Sequence, residues 1–402
     1  MTGLMSEATL GGLSLALLIL QVPACLLLLT RLIKGAIRIG PLQPASPEQS
    51  HFGSVSVVVP TLNEAERLSP CLAGLSHQTH EVREITIVDS RSQDGTSELV
   101  LAAGEQDPRI RLRTDDPLPT GWVGRPWALD YGFRNSAIQA EWFLGIDADT
   151  QPQPGLVASL LRTAEAENYD LISLAPRFLL KYPGEWWLQP ALLMTLLFRF
   201  DVAGSRSSNP KQVMANGQCF FCRRSVLDAV GGYTSAASSF CDDVTLAREI
   251  AQAGYRVGFL DGSDVIKVRM YDGAQETWDE WGRSLDLKDA ASPGQLRLEL
   301  WQLFMVQGLP IFLVFFSGLL LALGADSLSL RILFGLNLGL LAVRWAMLLA
   351  IRGSYDFDAC DRSSLFFWLS PLADPLAVLR VFISASRQPT RWRGREYGPI
   401  NG

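Results

Sequence analysis

Hydrophobic residues are concentrated at the two ends of this chain, and the first concentration predicts a membrane anchor. Residues 10–29 are almost entirely apolar and are long enough to cross about 30 Å of hydrocarbon. They lack a preceding basic stretch and a small-residue cleavage site, which favours a retained anchor over a signal peptide. Lys and Arg are absent before this segment, whereas Arg31, Lys34 and Arg38 follow it. The positive-inside rule therefore predicts an anchor domain over residues 1–40, with the N-terminus outside and the following chain in the cytoplasm.

In the middle of the chain the pattern changes to short apolar strands that alternate with helices. Residues 55–59 form a β-branched run, leucines at helical spacing come next, and residues 85–88 predict a second strand. Further helices are predicted over residues 97–103, 127–140, 156–167 and 244–253. Strands alternating with helices predict an α/β domain over residues 52–289, with a mostly parallel sheet that helices cover on both faces.

The C-terminal part predicts a second membrane region over residues 298–385. Residues 301–323 and 332–351 are each long enough to span a bilayer, and a short polar turn joins them as a hairpin. The next apolar stretch, residues 365–383, is interrupted by a Ser-Pro and an Asp-Pro pair. If it crossed fully, the arginines of residues 386–402 would lie outside, against the positive-inside rule. We therefore expect three spans in the chain, a re-entrant or surface-lying segment over residues 365–383, and a basic cytoplasmic tail.

Two further details predict how the apolar segments are arranged. Residues 186–200 are apolar around most of the helix circumference but too few to span, which favours an interfacial helix and leaves a buried core helix as the alternative. Arg344 lies midway along the last predicted span, where an unpaired cation costs at least about 2.5–3.5 kcal/mol. Asp374 lies in the Pro-broken segment, and we predict that the two residues form an ion pair. The alternative is that Arg344 faces a polar lipid gap or snorkels to the membrane surface.

The overall composition limits the classes of function. A net charge of −6 and an isoelectric point near 5.3, with no basic stripe in the middle of the chain, argue against nucleic acid as a partner. The mean hydropathy of +0.16 is high for a purely soluble protein. The six cysteines are scattered and predict no disulfide framework.

The most informative feature is a D-x-D motif, Asp147-Ala148-Asp149, which follows a short apolar strand. Because alternate residues of an extended segment point the same way, the two carboxylates are expected to converge at the end of that strand. Ligands of open α/β sheets bind at this edge. Two hard oxygen donors suit Mg²⁺ or Mn²⁺, and such ions often bridge to diphosphate oxygens. A solvated turn is the alternative for a single D-x-D motif, so the assignment depends on the other strand ends.

Four further polar segments follow predicted strands or begin predicted helices of the same domain. Asp242 and Asp243 place two acids at a helix start, where the dipole favours the ionised form and the two carboxyls compete for it. A basic loop before another helix suits a diphosphate. The candidate cofactor- or donor-binding residues are Pro60, Thr61, Asn63 and Glu64 after the first strand, Asp89 and Asp94 after the second, Arg125 in the basic loop, and Asp147. Singly each feature is more often a cap or a turn, but five in this order indicate an active site.

In the order and spacing of these motifs, the chain from about residue 55 to residue 289 resembles the family 2 nucleotide-sugar glycosyltransferases, which have the GT-A (Rossmann-like) fold. The resemblance implies that residues 60–64 and Asp89 hold the nucleoside of a UDP- or GDP-sugar donor. It implies that Asp147 and Asp149 bind the ribose or diphosphate and the metal ion, Mg²⁺ or Mn²⁺. It also implies that Asp243 is the catalytic base, with Asp242 beside it in the acidic pair.

The chain departs from the family pattern in ways that narrow the expectation. The Q-x-x-R-W motif of processive polysaccharide synthases is absent, which argues against chain elongation. The arrangement of anchor, catalytic domain and C-terminal helices resembles the subgroup that acts on isoprenoid lipids, including carotenoids and hopanoids. The resemblance therefore implies an inverting, non-processive hexosyltransferase that modifies the hydroxyl of a membrane lipid. We expect an integral membrane protein, in a bacterial inner or internal membrane, with the catalytic domain in the cytoplasm.

Two other classes of protein remain open at this stage. One is a catalytically silent nucleotide-sugar-binding protein that keeps the fold, against which the intact Asp147, Asp149 and Asp243 argue. The other is a nucleotidyltransferase that forms sugar nucleotides. That class usually has a Gly-rich basic loop after the first strand, and residues 60–64 are not such a loop.

Overall fold

The structure is a computed structural model, and it describes residues 7–205, 209–283, 285–358, 362–387, 391–392 and 395–396. Most of the predicted basic tail, residues 386–402, lies outside the described residues.

A seven-stranded sheet forms the centre of the catalytic domain, and a three-stranded sheet stands beside it. The strands are β1 Val55–Thr61, β2 Val82–Asp89, β3 Ile110–Arg113, β4 Trp142–Gly145, β5 Thr150–Pro152, β6 Leu171–Ala175, β7 Arg177–Phe178, β8 Phe220–Arg223, β9 Val257–Asp261 and β10 Ile266–Val268. The large sheet has the order β3-β2-β1-β4-β8-β6-β9, and the small one β5-β10-β7. Only β8 runs antiparallel to its neighbours in the large sheet, which confirms the predicted mostly parallel α/β domain.

Helices cover both faces of the large sheet and continue beyond it at each end of the chain. They are α1 Glu7–Ala36, α2 Ala65–Ser76, α3 Thr96–Gln106, α4 Gly124–Arg134, α5 Leu156–Glu167, α6 Pro183–Leu197, α7 Arg224–Ala229, α8 Asp242–Gln252, α9 Gly273–Glu280, α10 Pro293–Leu303, α11 Pro310–Ala322, α12 Leu328–Ile351 and α13 Asp374–Ser386. A π-helical segment, Phe304–Gly308, joins α10 to α11, and a 3₁₀ segment, Arg362–Ala373, precedes α13.

Alternating side chains of β1 build the cores on the two faces of the sheet. Val57 and Val59 belong to the core that includes α2 and α5, whereas Val58 belongs to the core that includes α4 and α8. All seven residues of β1 are buried, as expected for a central strand of a parallel sheet. Burial on both faces fixes the strand, so its carboxyl end can position functional side chains.

The candidate membrane helices differ from the sequence prediction in their positions and in how straight they run. Within the part of the chain that the structure describes, three segments are long and apolar enough to cross a membrane: residues 7–35, 328–354 and 362–386. The predicted straight span over residues 301–323 is instead a pair, α10 with the π segment and then α11, bent by 47°. Pro310 begins α11, where its missing N–H leaves a helix hydrogen bond unmade. Counting the bent pair as one span gives up to four crossings.

Helix α6 corrects the prediction of an interfacial helix over residues 186–200. None of residues 184–200 is exposed, and the helix contributes to a core shared with the 3₁₀ segment, α12 and α13. Its N-terminus is held by Glu185, which is buried and pairs with Arg269 at 2.6 Å. The buried core helix, the alternative at the sequence level, is therefore the observed arrangement. Most of its circumference packs against protein, and Leu193, Leu196 and Leu197 line a cavity.

An ion pair joins the last two membrane segments, as predicted. The Arg344 Nε of α12 lies 2.8 Å from Asp374 Oδ2, and both side chains are less than 5% exposed. Arg344 Nη2 also donates to Ser370 Oγ at 3.2 Å, and Gln307 of the π segment donates to Asp374 Oδ1 at 3.1 Å. Because the charges are paired and hydrogen-bonded, they can be buried between apolar helices.

Both ends of the segment 362–386 adjoin the catalytic domain. Just before it, Lys267 of β10 pairs with Asp356 at 2.7 Å. Near its end, Ser384 donates to Asp286 at 2.6 Å, and Arg380 donates to the carbonyl of Trp278 at 2.8 Å. The segment therefore leaves the domain and comes back to it.

Candidate active site

The polar residues of interest meet at the carboxyl ends of β1 and β4 and at the start of α8. The backbone conformation of the D-x-D motif differs from the sequence prediction, because Ala148 and Asp149 form a turn rather than an extended strand. The turn is closed by Thr150 N, which donates to the carbonyl of Asp147 at 3.1 Å. Asp147 and Asp149 nevertheless line the same cavity. Their convergence comes from the turn, and the period-two argument from a strand was wrong here.

Arg125, in the first turn of α4, links the D-x-D motif to the acidic pair of α8. Its Nε donates to Asp147 Oδ1 at 2.8 Å, and its Nη1 forms an ion pair with Asp242. The positive charge of the Arg125 guanidinium is not left unpaired in this buried position, because a carboxylate lies on each side of it. Gly217 lies against this contact: a Cβ there would be 2.0 Å from Arg125 Nη2 and 3.1 Å from Asp147 Oδ2. A glycine is therefore required for the arginine to hold both acids.

Asp243 is the acid of the pair whose environment suits a base. Burial, followed by the neighbouring Asp242 carboxylate, raises the pKa of Asp243 to about 7, although Arg125 and the Val244 N–H oppose the change. That N–H donates to Asp243 Oδ1 at 2.8 Å. Burial also raises the pKa of Asp242, against the lowering effect of Arg125. Both acids line the cavity, but Asp242 is fixed by its ion pair with Arg125, which leaves Asp243 poised to take a proton near neutral pH.

The other predicted donor-binding residues form a separate cluster between the β1–α2 and β2–α3 loops. Asp89 accepts hydrogen bonds from Thr61 Oγ1 at 3.0 Å, Ser97 Oγ at 3.0 Å and the Ser92 N–H at 3.1 Å. Asn63 has φ of 55° and its Oδ1 accepts from the Gln93 N–H at 2.9 Å. The cluster ties the two loops together beside the sheet edge.

Asp94 belongs to the same loop cluster. Its Oδ2 accepts from the Ala65 N–H at 2.9 Å, and its Oδ1 accepts from Thr96. Burial alone would raise the pKa of Asp94, but the hydrogen bonds from Thr96 and Ala65 lower it. Thr61, Asn63, Asp89 and Asp94 do not line the cavity, whereas Pro60 and Glu64 do. The structure thus divides the sequence candidates into residues that face the cavity and residues that hold its loops.

The cavity has a volume of about 760 Å³ and extends from these carboxylates to the membrane helices. At one end it is lined by the acids and Arg125. At the other end it is lined by Leu193, Leu196 and Leu197 of α6 and by one face of α12, Val343, Ala346, Met347 and Ala350. Ala346 and Ala350 are exposed, so the cavity is open at this end. The cavity therefore connects charged catalytic-type groups with an apolar surface that faces the bilayer in a membrane-embedded chain.

The donor set fits a divalent ion that completes its coordination with a bound substrate. No group of three or more His, Cys, Asp or Glu side chains in the described ranges could hold a metal by itself. Asp147 and Asp149 supply carboxylate oxygens at the cavity wall, and Mg²⁺ is commonly bound by one or two carboxylates together with substrate phosphates. The residues present thus suit an ion that arrives with a diphosphate.

Sequence reasoning missed two parts of the site. The face of α12 that lines the cavity has an i, i+3, i+4, i+7 spacing at Val343, Ala346, Met347 and Ala350, but in an apolar span this spacing gives no signal. Asp201, directly after the apolar stretch that contains α6, also lines the cavity and is buried. An acid next to an apolar run of this kind could have been singled out.

Comparison with known proteins agrees with this geometry. The model of "Glycosyl transferase family 2" matches residues 56–231. The chain is 25% identical over 276 residues to the 4,4'-diaponeurosporenoate glycosyltransferase of Staphylococcus haemolyticus, covering 69% of this chain and 71% of that protein. It is 24% identical over 239 residues to the probable glycosyltransferase YdaM of Bacillus subtilis, covering 57% of this chain and 53% of that protein, about half the length of that relative.

The solved mannosyltransferase PcManGT of Pyrobaculum calidifontis, in complex with GDP-Man and Mn²⁺, has a similar fold. The TM-score is 0.53 at 19% identity, covering 93% of this chain and 98% of that one. At this identity the likeness shows the fold alone. Together with the family match, it leads to one conclusion: residues 56–231 match a glycosyl transferase family 2 domain, and the chain has a GT-A-like fold.

Proposed function

We propose that this protein transfers a sugar from a nucleotide-sugar donor to the hydroxyl of a membrane lipid, in one step and with inversion. The single observation that carries the proposal is the continuous cavity, which joins Asp147, Asp149 and Asp243 to the apolar faces of α6 and α12. A water-soluble acceptor would not need a catalytic cavity walled by membrane-type helices. The 4,4'-diaponeurosporenoate glycosyltransferase relative supports an isoprenoid chain on the acceptor, and its name describes a carboxylate rather than a hydroxyl as the polar group.

The donor end of the cavity is the part around Arg125 and the D-x-D motif. We assign the donor diphosphate to this end, where Asp147 and Asp149 would hold Mg²⁺ or Mn²⁺. The ion would stabilise the negative charge on the departing nucleoside diphosphate. Arg125 adds fixed positive charge at the same place and keeps Asp147 and Asp242 in position. The complex of PcManGT with GDP-Man and Mn²⁺ is consistent with a donor and ion of these kinds.

In the proposed chemistry Asp243 acts as the general base. Its carboxylate takes the proton of the acceptor hydroxyl while the hydroxyl oxygen forms a bond to the anomeric carbon. The bond from that carbon to the diphosphate oxygen breaks at the same time, and the nucleoside diphosphate leaves with the electron pair. With one base and a single displacement from the face opposite the leaving group, the configuration at the anomeric carbon inverts.

The loop cluster of Thr61, Asn63, Asp89 and Asp94 supports the donor end indirectly. Its hydrogen bonds fix the loops that carry Pro60 and Glu64 to the cavity wall. We propose that the nucleoside binds beside these loops, and that Asp89 and Asp94 act by keeping them in shape. Removing either acid would then weaken donor binding without a direct contact to the donor.

A nucleotidyltransferase is the alternative that uses a similar sheet and a similar metal site. The two activities release different products, because sugar transfer releases nucleoside diphosphate and nucleotidyl transfer releases pyrophosphate. Incubation of the purified protein with UDP- and GDP-sugars, Mn²⁺ and a membrane-lipid extract distinguishes them. We expect nucleoside diphosphate and a new glycolipid of inverted anomeric configuration by NMR. Formation of pyrophosphate from sugar phosphate and nucleoside triphosphate would favour the alternative.

A further inference from the structure

The proposed function, on which this inference rests, takes the hydroxyl of a membrane lipid as the acceptor. The competing chemical class of acceptor is a lipid phosphate. In either case the reacting oxygen must reach the neighbourhood of Asp243. The charged residues that line the cavity decide which of the two classes of lipid can bind.

The described part of the cavity wall offers few cations that could receive an acceptor phosphate. Of the described residues that line it, only Arg38 and Arg125 are cationic. Arg125 is held between Asp147 and Asp242. Arg38 Nη1 lies 3.7 Å from Asp261 Oδ2, at the end of β9. Since phosphate binding in proteins relies on charge-assisted hydrogen bonds, this lining is poorly suited to a lipid phosphate.

Asp201 adds a carboxylate to the cavity wall near the end of α1, where it interacts electrostatically with Lys34 and Arg31. Its side chain is 7% exposed, and neither carboxylate oxygen has a hydrogen-bond partner in the part of the chain that the structure describes. Its ion-pair partner is Lys34 of α1, whose Nζ is 3.5 Å from Oδ1. A buried oxygen without a hydrogen bond is costly, and one that lines a cavity can be satisfied by a ligand that donates.

The position of Asp201 is on the acceptor side of the cavity. Its loop is attached to the end of α1, where Ile39 N donates to the Gly204 carbonyl at 2.9 Å, and to β9, where Gly204 N donates to the Phe259 carbonyl at 2.7 Å. Three strand spacings separate β9 from β4, which precedes the D-x-D motif, or about 14 Å along the sheet edge. A lipid coming from α1 and α12 towards Asp243 would therefore pass Asp201.

We propose that the acceptor is an uncharged, hydroxyl-bearing lipid and that Asp201 determines this specificity. The Asp201 carboxylate accepts a hydrogen bond from a polar group of the lipid and repels the phosphate of an anionic one. Like charges placed together in a binding site reduce affinity by about tenfold or more. The site thus selects by charge among lipids that have the same hydrocarbon chain.

The test compares a long-chain polyprenol and its monophosphate, with chains of equal length, as acceptors and as inhibitors. The full-length protein is placed in nanodiscs of uncharged phospholipid with a donor that supports transfer. We expect the wild type to glycosylate the alcohol and to be neither slowed by the phosphate nor able to use it. In Asp201→Asn the ratio of the glycosylation rate of the alcohol to that of the phosphate should fall about tenfold. Asp326→Asn, an exposed change in the turn after α11, is the matched control and should leave the ratio unchanged.

A second set of variants guards against indirect effects. Lys34→Gln with Asp201→Asn removes the lysine that the single change leaves unpaired, and it should still lose discrimination. Asp201→Ser serves as the uncharged variant should Asp201→Asn not fold. Equal or faster glycosylation of the phosphate by the wild type, or an unchanged ratio in the uncharged variants, overturns the inference while sugar transfer to lipid stands. Absence of sugar on either lipid with every donor would instead overturn the proposed function itself.

Discussion

Asp243 is the residue on which the proposed chemistry most depends, and its pKa of about 7 has a measurable consequence. The proposed base must be ionised, so the rate should fall as pH decreases through about 7 and level off above it. Asp243→Asn keeps the shape but cannot accept a proton, and it should reduce transfer by about 10²–10⁴-fold. Titration calorimetry should show nearly unchanged donor binding. A variant that keeps more than about a tenth of the wild-type rate, or an acid limb that persists in it, would remove Asp243 from this role.

Gly217 offers a test of how Arg125 is positioned. In Gly217→Ala the new Cβ would meet Arg125 Nη2 at 2.0 Å, which the flexible side chain can avoid only by moving away from its carboxylates. We expect a folded protein whose transfer rate falls by up to about 10²-fold, since small misplacements in an active site have effects of that size. Gly294→Ala, where nothing lies within 4 Å of the added atom, is the control. Equal rates in the two variants would show that the contact with Arg125 is unimportant.

At the residue scale, the sequence predicted the acids around the cavity better than it predicted their surroundings. Asp147, Asp149 and Asp243 could be found because carboxylates at the ends of strands and the starts of helices have a recognisable order. Asp89 and Asp94 follow the same rule, yet in the structure they hold loops. A polar residue at a strand end can serve either purpose, and only the partners of its oxygens distinguish the two.

The ion pair between α12 and α13 leads to a prediction at the element scale. Arg344→Leu and Asp374→Leu should each destabilise the protein by about 3–5 kcal/mol, because each leaves a buried charge without its partner. The double variant should be no worse than the more harmful single one. Thermal unfolding in detergent measures all three. Additive losses would indicate that the two side chains act independently.

A matched control for this cycle lies in the turn before α12. Arg331 and Asp326 are 2.6 Å apart, but both side chains are more than 60% exposed. Arg331→Leu should therefore change stability by no more than about 1 kcal/mol. The contrast separates the effect of a buried pair from that of any Arg-to-Leu change in this helix.

The elements that the sequence misjudged share one physical cause. Hydropathy reports that a surface avoids water, but it does not report whether lipid or protein covers that surface. Helix α6 is apolar on all sides because protein covers most of it and the rest lines a cavity. Likewise the hydropathy of residues 301–323 did not report the bend of 47° after the π segment, although Pro310 within the run could have indicated it. By contrast, strands such as β1 were predictable because β-branched runs between turn residues have few other outcomes.

For the whole molecule, we propose that the catalytic domain lies in the cytoplasm and that the turn between α11 and α12 lies outside. A cysteine at Asp326 should react with an impermeant maleimide on intact cells, whereas one at the exposed Glu105 of α3 should react only after lysis. The five described native cysteines are buried, and Cys360→Ser removes the sixth. A tag at the C-terminus should be protected as well. Labelling of Glu105→Cys on intact cells would reverse the proposed orientation.

The prediction that a C-terminal tag is protected depends on whether residues 362–386 cross the membrane. Residues 362–386 are apolar enough to cross a membrane, yet both ends adjoin residues of the catalytic domain. We therefore propose that this segment is re-entrant and that it forms part of the enclosure around α6. An externally accessible C-terminal tag together with a protected Glu105→Cys would show a full crossing and would require a further span.

The central claim is that sugar passes directly from a nucleotide to a membrane lipid at Asp243. The most direct measurement uses the purified protein in nanodiscs, supplied with membrane lipids, Mn²⁺ and a nucleotide donor whose sugar is radiolabelled. The account predicts that label enters the organic phase in a one-to-one ratio with released nucleoside diphosphate, and that Asp243→Asn abolishes both. Label that stays in the aqueous phase while nucleoside diphosphate is released, or equal lipid labelling by Asp243→Asn, would contradict it.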